Sequence, residues 1–199
     1  LLQQMLGMMA LSNLSSRSFH SPEAVHLMAE AERRAYADRA QHLGDPDFWK
    51  VPVRQMTDPV YLKKRMADFD PDRATPSTAV EAGLFAESEQ TTHYSIVDAE
   101  GNGASVTTTL NDSYGSRCVV AGAGFILNNE MDDFSAKPGA PNIYGAVGGA
   151  ANAIAAHKRP LSSMTPTIIT KKGKLWMVVG TPGGTTIPTS VFQVIVNVI

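Results

Sequence analysis

The spacing of apolar residues changes at Thr91, and no all-helical or all-strand fold can take both sides of that change. Residues 1–12 are apolar and Met-rich and read as a buried helix. Ser21-Pro22-Glu23 is a helix start: a capping hydroxyl, Pro at the first helical position and an acid in the first turn. The helix it opens runs to near Gly44, with Val25, Met28 and Ala35 on one face. Its charged residues, with pairs such as Glu30 and Arg34, read as a solvated face. Asp58-Pro59 starts a shorter helix over 58–68, and residues 69–90 read as an extended linker.

From Thr91 onward the pattern is that of strands. Thr91-Thr92-His93-Tyr94-Ser95-Ile96-Val97 and Ala104-Ser105-Val106-Thr107-Thr108-Thr109-Leu110 flank a turn cluster and predict a hairpin. Phe125-Ile126-Leu127 reads as a further strand, and residues 136–152 as a long loop. Thr167-Ile168-Ile169-Thr170 and Leu175-Trp176-Met177-Val178-Val179 predict a second hairpin. Gly180-Thr181-Pro182-Gly183-Gly184 then leads into a final helix. Helices first and hairpins after predict an α+β fold with antiparallel sheet packed on helices, not a βαβ series.

Composition narrows the function classes. A length of 199 residues allows one domain, or one and a part, and 43% hydrophobic content supports a packed core. Lys plus Arg is 17 against 19 Asp plus Glu, which leaves no basic excess for a nucleic-acid partner. The single Cys118 excludes an internal disulfide and a Cys-rich zinc site. No apolar run reaches the roughly 18 residues of a membrane helix. The chain starts without an initiator Met or a signal pattern, and both ends run out within apolar helical stretches. It reads as an internal piece of a longer chain.

Several residues could carry chemistry. A threonine hydroxyl needs a base to become a nucleophile. If cleavage frees the amine of Thr91, that amine, with a pKa near ~8, is within reach of its own side chain. The alternative is a Thr-Thr pair that serves only strand propensity. Gly183-Gly184 either aims two amides at one oxygen as an oxyanion hole or makes a tight strand-to-helix turn. Glu130-Met131-Asp132-Asp133 is either a site for an ammonium group or metal, or an acidic surface turn. Ser162-Ser163 either donates to a carboxylate or is an ordinary loop pair. Together they describe a site that grips an α-amino-acid head group and attacks an amide on its side chain.

The motifs Thr91-Thr92-His93-Tyr94-Ser95, Asn128-Asn129-Glu130-Met131-Asp132-Asp133-Phe134-Ser135, Arg159-Pro160-Leu161-Ser162-Ser163-Met164 and Gly180-Thr181-Pro182-Gly183-Gly184 resemble γ-glutamyltranspeptidase. So does the stretch from Ala29 to Arg39 followed by Leu43-Gly44-Asp45-Pro46-Asp47-Phe48. The resemblance covers nearly the whole chain. It implies an N-terminal nucleophile hydrolase with an αββα sandwich, incomplete in this chain. It also implies a zymogen that cuts itself between Gln90 and Thr91. Residues 1–90 would then close a large subunit and 91–199 open a small one.

By that resemblance Thr91 attacks the γ-glutamyl amide of glutathione or a related donor. Water, an amino acid or a dipeptide then takes the glutamyl group. The resemblance makes Thr109 the hydrogen-bond partner of the nucleophile, and Asn111 a substrate-positioning residue. Glu130 and Asp133 would hold the donor's amino group, Ser162 and Ser163 its α-carboxylate, and the amides of Gly183 and Gly184 the oxyanion. Tyr144 resembles the gating residue of a lid loop. No metal or organic cofactor is implied, and the compartment implied is periplasmic or secreted. The family's carboxylate-binding arginine comes from early in the large subunit, and neither Arg117 nor Arg159 matches its motif. The alternatives are a β-lactam acylase or poly-γ-glutamate depolymerase with the same nucleophile, or a non-catalytic homologue that no longer processes.

Overall fold

The computed structural model describes residues 1–76 and 91–199. Most of the linker expected over 69–90 and the Gln90 side of the expected cleavage point lie outside the described residues. Helix α1 (Leu2–Leu11) buries Gln4, Met5, Met8 and Met9. Helix α2 (Pro22–His42) starts where the sequence predicts, with the Ser21 hydroxyl accepting the Ala24 amide at 3.2 Å. A single turn, α3 (Val53–Met56), is one the sequence pattern does not reveal. Helix α4 (Pro59–Arg65) is capped by Asp58, whose carboxylate accepts the amides of Val60 and Tyr61 at 2.9 and 3.3 Å.

These helices meet in one apolar cluster. Met5, Met8 and Met9 pack with Leu27, Met28, Ala31 and Ala35 of α2, Leu62 of α4, and Phe192 of α5 (Ile187–Val198). Each large side chain buried there stabilises the fold by about 1.5–3 kcal/mol. The other face of α5 presents Ile187, Val191 and Ile195 to Met164, Ile169, Met177 and Val179. Helix α5 is therefore the layer that joins the helices to the second hairpin. Among the described residues no helix is long and apolar enough to cross a membrane.

The charged stripe of α2 corrects the sequence reading. Glu30 and Arg34 pair at i,i+4 as expected, but each is only 1% exposed, whereas Val25 is 48% exposed. Arg34 also donates to Asp68 at 2.9 Å, and Thr75 gives Glu30 its amide at 3.0 Å and its hydroxyl at 2.6 Å. Distant residues complete a network that helical periodicity cannot show, and that network makes burial of the pair tolerable.

Strands β1 (Thr91–Val97) and β2 (Gly103–Thr109) form an antiparallel hairpin that pairs Thr91 with Thr109. Strands β3 (Thr167–Lys171) and β4 (Lys174–Val179) form the second, closed by Lys172-Gly173. The Ser105 hydroxyl ties the hairpins together: it donates to the Val179 carbonyl and accepts the Thr167 amide, both at 3.1 Å. Residues 125–127 are not a strand. Their pairing with 118–120 stops at one isolated bridge, Val119 to Ile126, because Arg117 at φ +60° turns the opposite segment out of extended geometry.

Candidate active site

A cleft lies where the open end of the first hairpin, the acidic turn, the 142–148 loop, residues 161–164, the turn before α5 and the last turn of α2 converge. Thr91, the first residue of β1, lines it together with its cross-strand neighbour Thr109. The Thr109 hydroxyl accepts the Asn111 amide at 2.9 Å. That bond turns the chain out of the strand, and Asn111 takes φ +76°. The Asn111 side-chain amide then donates to the Asn129 carbonyl at 3.1 Å, and the Asn129 side chain accepts the Asp112 amide at 2.9 Å. The acidic turn is thus stapled to the end of β2.

That turn, Glu130–Asp133, places Asp133 in the cleft wall with Glu130 hydrogen-bonded to it. Burial, the neighbouring Glu130 charge and the hydrogen bond between them push Asp133 up to about 7, against the opposing pull of Arg39. Burial raises Glu130 as well. Glu130 itself is beside the lining, not in it.

Ser162 and Ser163 also line the cleft. They are held from both sides. The Arg159 amide and Nε donate to Asp45 at 2.9 and 3.0 Å, and its Nη2 bridges Asp45 and Asp47. Arg159 holds the Asp45 carboxyl well below the usual range. The Asn152 side chain accepts the Leu161 amide at 3.0 Å and donates to the Asp133 carbonyl at 2.7 Å. One buried amide therefore sets the span between the acidic wall and the serine wall.

Gly184 lines the cleft next to Gly183. Both have positive φ, +55° and +134°, which disfavours any side chain there. Gly184 opens a 3₁₀ turn before α5, so its amide has no partner within that turn. Tyr144 also lines the cleft; it is buried, with its hydroxyl donating to the Asn111 carbonyl.

Of the residues singled out in the sequence, Thr91, Thr109, Asn111, Asp133, Tyr144, Ser162, Ser163 and Gly184 share this lining, and Glu130 and Gly183 adjoin it. Sequence reasoning missed three contributors: Asn152, the Asp45–Arg159 pair and Arg39. An Arg in the last turn of a helix reads as an ordinary dipole partner, and nothing local separates it from one that faces a cleft. Chemically the cleft gathers hydroxyls, a carboxylate, a guanidinium and the backbone of Gly184.

A sequence model of the gamma-glutamyltranspeptidase family matches residues 1–199. The glutathione hydrolase proenzyme of Escherichia coli K12 is 51% identical over 98% of this chain and 34% of its own length. The chain spans about a third of the length of the curated relatives it matches. A crystal structure of a mutant gamma-glutamyltranspeptidase from Helicobacter pylori matches at TM-score 0.52 and 65% identity, covering 54% of this chain and 57% of that one. Cephalosporin acylase from Bacillus halodurans matches at TM-score 0.72 over 98% of this chain and 33% of its own, at 22% identity, which is a likeness of fold. The fold is that of the N-terminal nucleophile hydrolases, present in part.

Proposed function

The chain belongs to the γ-glutamyltranspeptidase family, and we propose that the protein carrying it cleaves itself before Thr91 and then transfers or hydrolyses γ-glutamyl groups. Residues 1–90 close the large subunit and 91–199 open the small one. Cleavage converts the Thr91 amide nitrogen into a free amine, which takes the proton of its own hydroxyl. The hydroxyl attacks the γ-carbonyl of glutathione or a related amide, the amine leaves, and a γ-glutamyl ester remains on Thr91. Water, an amino acid or a dipeptide then resolves the ester. Thr109 positions the nucleophile, and Asn111 the substrate. Gly183 and Gly184 supply amides to the oxyanion. Tyr144 closes over the site. Location outside the cytoplasm, periplasmic or secreted, is part of the same proposal.

The observation that supports this reading is that Asp133, Ser162 and Ser163 line one cleft together with Thr91. A zwitterionic head group matches that arrangement, whereas the glutaryl side chain of a β-lactam acylase substrate has no amine to pair with the acids. Intact-mass measurement of the full-length protein tests it first. Two chains are expected, the smaller starting at Thr91. A protein that stays as one chain and does not turn over a γ-glutamyl anilide fits the non-catalytic alternative instead. Preference for a glutaryl amide would favour the acylase.

The raised Asp133 predicts a pH dependence. Asp133 and Glu130 share a proton, and the pair takes its second negative charge as pH rises through the value of about 7 to which Asp133 is pushed. The second charge strengthens the pull on an ammonium, so kcat/KM for a γ-glutamyl donor falls as pH drops through that value. Asp133→Asn removes this limb and lowers kcat/KM at pH 8 by on the order of 10²-fold. A limb that survives in the variant belongs to another group, the Thr91 amine first. A pH–rate profile unchanged by Asp133→Asn would remove Asp133 from donor binding.

A further inference from the structure

Arg39 is 8% exposed, lies in the last turn of α2 and lines the cleft. Among the described residues it makes no ion pair. Its Nη2 donates to the Ser163 hydroxyl at 2.9 Å. A buried guanidinium is costly unless an anion or a set of acceptors meets it, and here the open side of the group is the cleft itself.

The surrounding contacts hold this group in place. Tyr36, three residues earlier on the same helical face, donates its hydroxyl to the Thr185 carbonyl. The Ala40 carbonyl accepts the Gly149 amide at 2.8 Å. The last turns of α2 are therefore pinned to the turn before α5 and to the loop at Gly149, which limits the freedom of Arg39 to swing away.

The bond to Ser163 has a directional consequence. A serine hydroxyl has one hydrogen and two acceptor lone pairs. Arg39 has only donors, so it occupies a lone pair of Ser163 and leaves the O–H to point elsewhere. Ser163 is thereby set as a donor toward the cleft, with a positive charge directly behind it. Asp133 shares this lining and feels the Arg39 charge, so the cleft holds an acid and a cation together.

We propose that Arg39 is a positioning residue for carboxylate recognition, which orients the Ser163 hydroxyl toward the substrate α-carboxylate and favours an anion at that wall. It is distinct from the arginine that the family resemblance places early in the large subunit. The proposal rests on the γ-glutamyl reading above.

The test uses the full-length enzyme and γ-glutamyl anilide, with L-glutamate and 4-aminobutanoate as competing inhibitors. The two inhibitors differ by the α-carboxylate alone. Arg39→Gln is expected to raise KM about 30-fold while kcat stays within about threefold, as loss of a charge-assisted hydrogen bond to an anion site implies. Its Ki for L-glutamate rises in step, and its Ki for 4-aminobutanoate does not move. In a Ser163→Ala background the same substitution costs less than about threefold, because the group it acts through is gone. Arg39→Lys keeps the charge but not the fork, and lowers the discrimination between the inhibitors at least about fivefold.

An unchanged inhibitor ratio, or full additivity with Ser163→Ala, overturns the proposal. If Arg39→Gln fails to process, Arg39→Lys decides by the same ratio, and failure of both to process assigns Arg39 to the fold and overturns it too. A wild-type enzyme inactive on γ-glutamyl anilide refutes the γ-glutamyl reading itself, which is a separate outcome.

Discussion

Thr91→Ala leaves the full-length protein as one chain and lowers γ-glutamyl anilide hydrolysis by at least about 10³-fold. The single hydroxyl removed is asked to act twice: it opens its own peptide bond and then attacks the donor. Alanine retains the backbone position at the head of β1 and the pairing with Thr109, so the cleft keeps its shape. Loss of both events with a native-like circular dichroism spectrum is therefore the expected pair of observations. Thr91→Ser restores a hydroxyl without the methyl, and is expected to process slowly and recover part of the rate. A Thr91→Ala protein that still splits at this bond, or keeps its turnover, would require another nucleophile. The acidic turn and the serine wall do not depend on the Thr91 side chain, so the uncleaved variant is also the form in which to study their assembly.

The largest expected effect on stability is at the buried charges midway along α2. Glu30→Ala destabilises the protein by about 3 kcal/mol, read as a fall in the thermal midpoint of the full-length protein. Glu30 and Arg34 are each 1% exposed, and the substitution leaves the Arg34 guanidinium with Asp68 as its remaining charged partner. It also strips the acceptors from the Thr75 amide and hydroxyl. Burial by itself would raise the Glu30 carboxyl, but the bonds from Arg34 and Thr75 outweigh it and hold the group below its ordinary value. A lowered carboxyl contributes stability that is complete above the ordinary value of 4.5 and lost as pH falls through the folded one. The gap between wild type and Glu30→Ala should accordingly narrow on acidification. Glu23→Ala, at the exposed first turn of the same helix, serves as the control and should leave the midpoint nearly unchanged. Equal effects at the two positions would mean that the buried pair carries no special weight.

How legible the molecule was from its residues varied with the range of the interaction. The start of α2 at Ser21-Pro22 and of α4 at Asp58-Pro59 rests on groups within three residues, so local chemistry was enough. The two hairpins rest on β-branched runs that flank turns, and they too were readable. Residues 125–127 have strand-like composition but found no continuous partner, because strand formation needs a neighbour and the neighbour turns away at Arg117. The charged face of α2 was misread for a related reason. Periodicity says which residues share a face, not which faces are covered, and Asp68 and Thr75 cover this one.

The candidate site divides along the same line. Its chemical groups stand in short motifs, and the residue types alone described an amide-attacking site with acids for an amine and hydroxyls for a carboxylate. The distances between those motifs in the chain are long, and only the folded molecule brings Thr91, Asp133, Ser163 and Gly184 to one cleft. Asn152 belongs to no motif, and Arg39 stands in a helical stretch that shows no site role, because the contacts of both exist only where segments separated by up to 124 residues meet. Sequence by itself determined the class of the fold, its helix caps and turns, and the kinds of group available for chemistry, since these follow from short-range sterics and hydrogen bonding. Tertiary structure alone decided which charges are buried and which hydroxyl faces the substrate, since burial and orientation are properties of neighbours that the chain order does not contain.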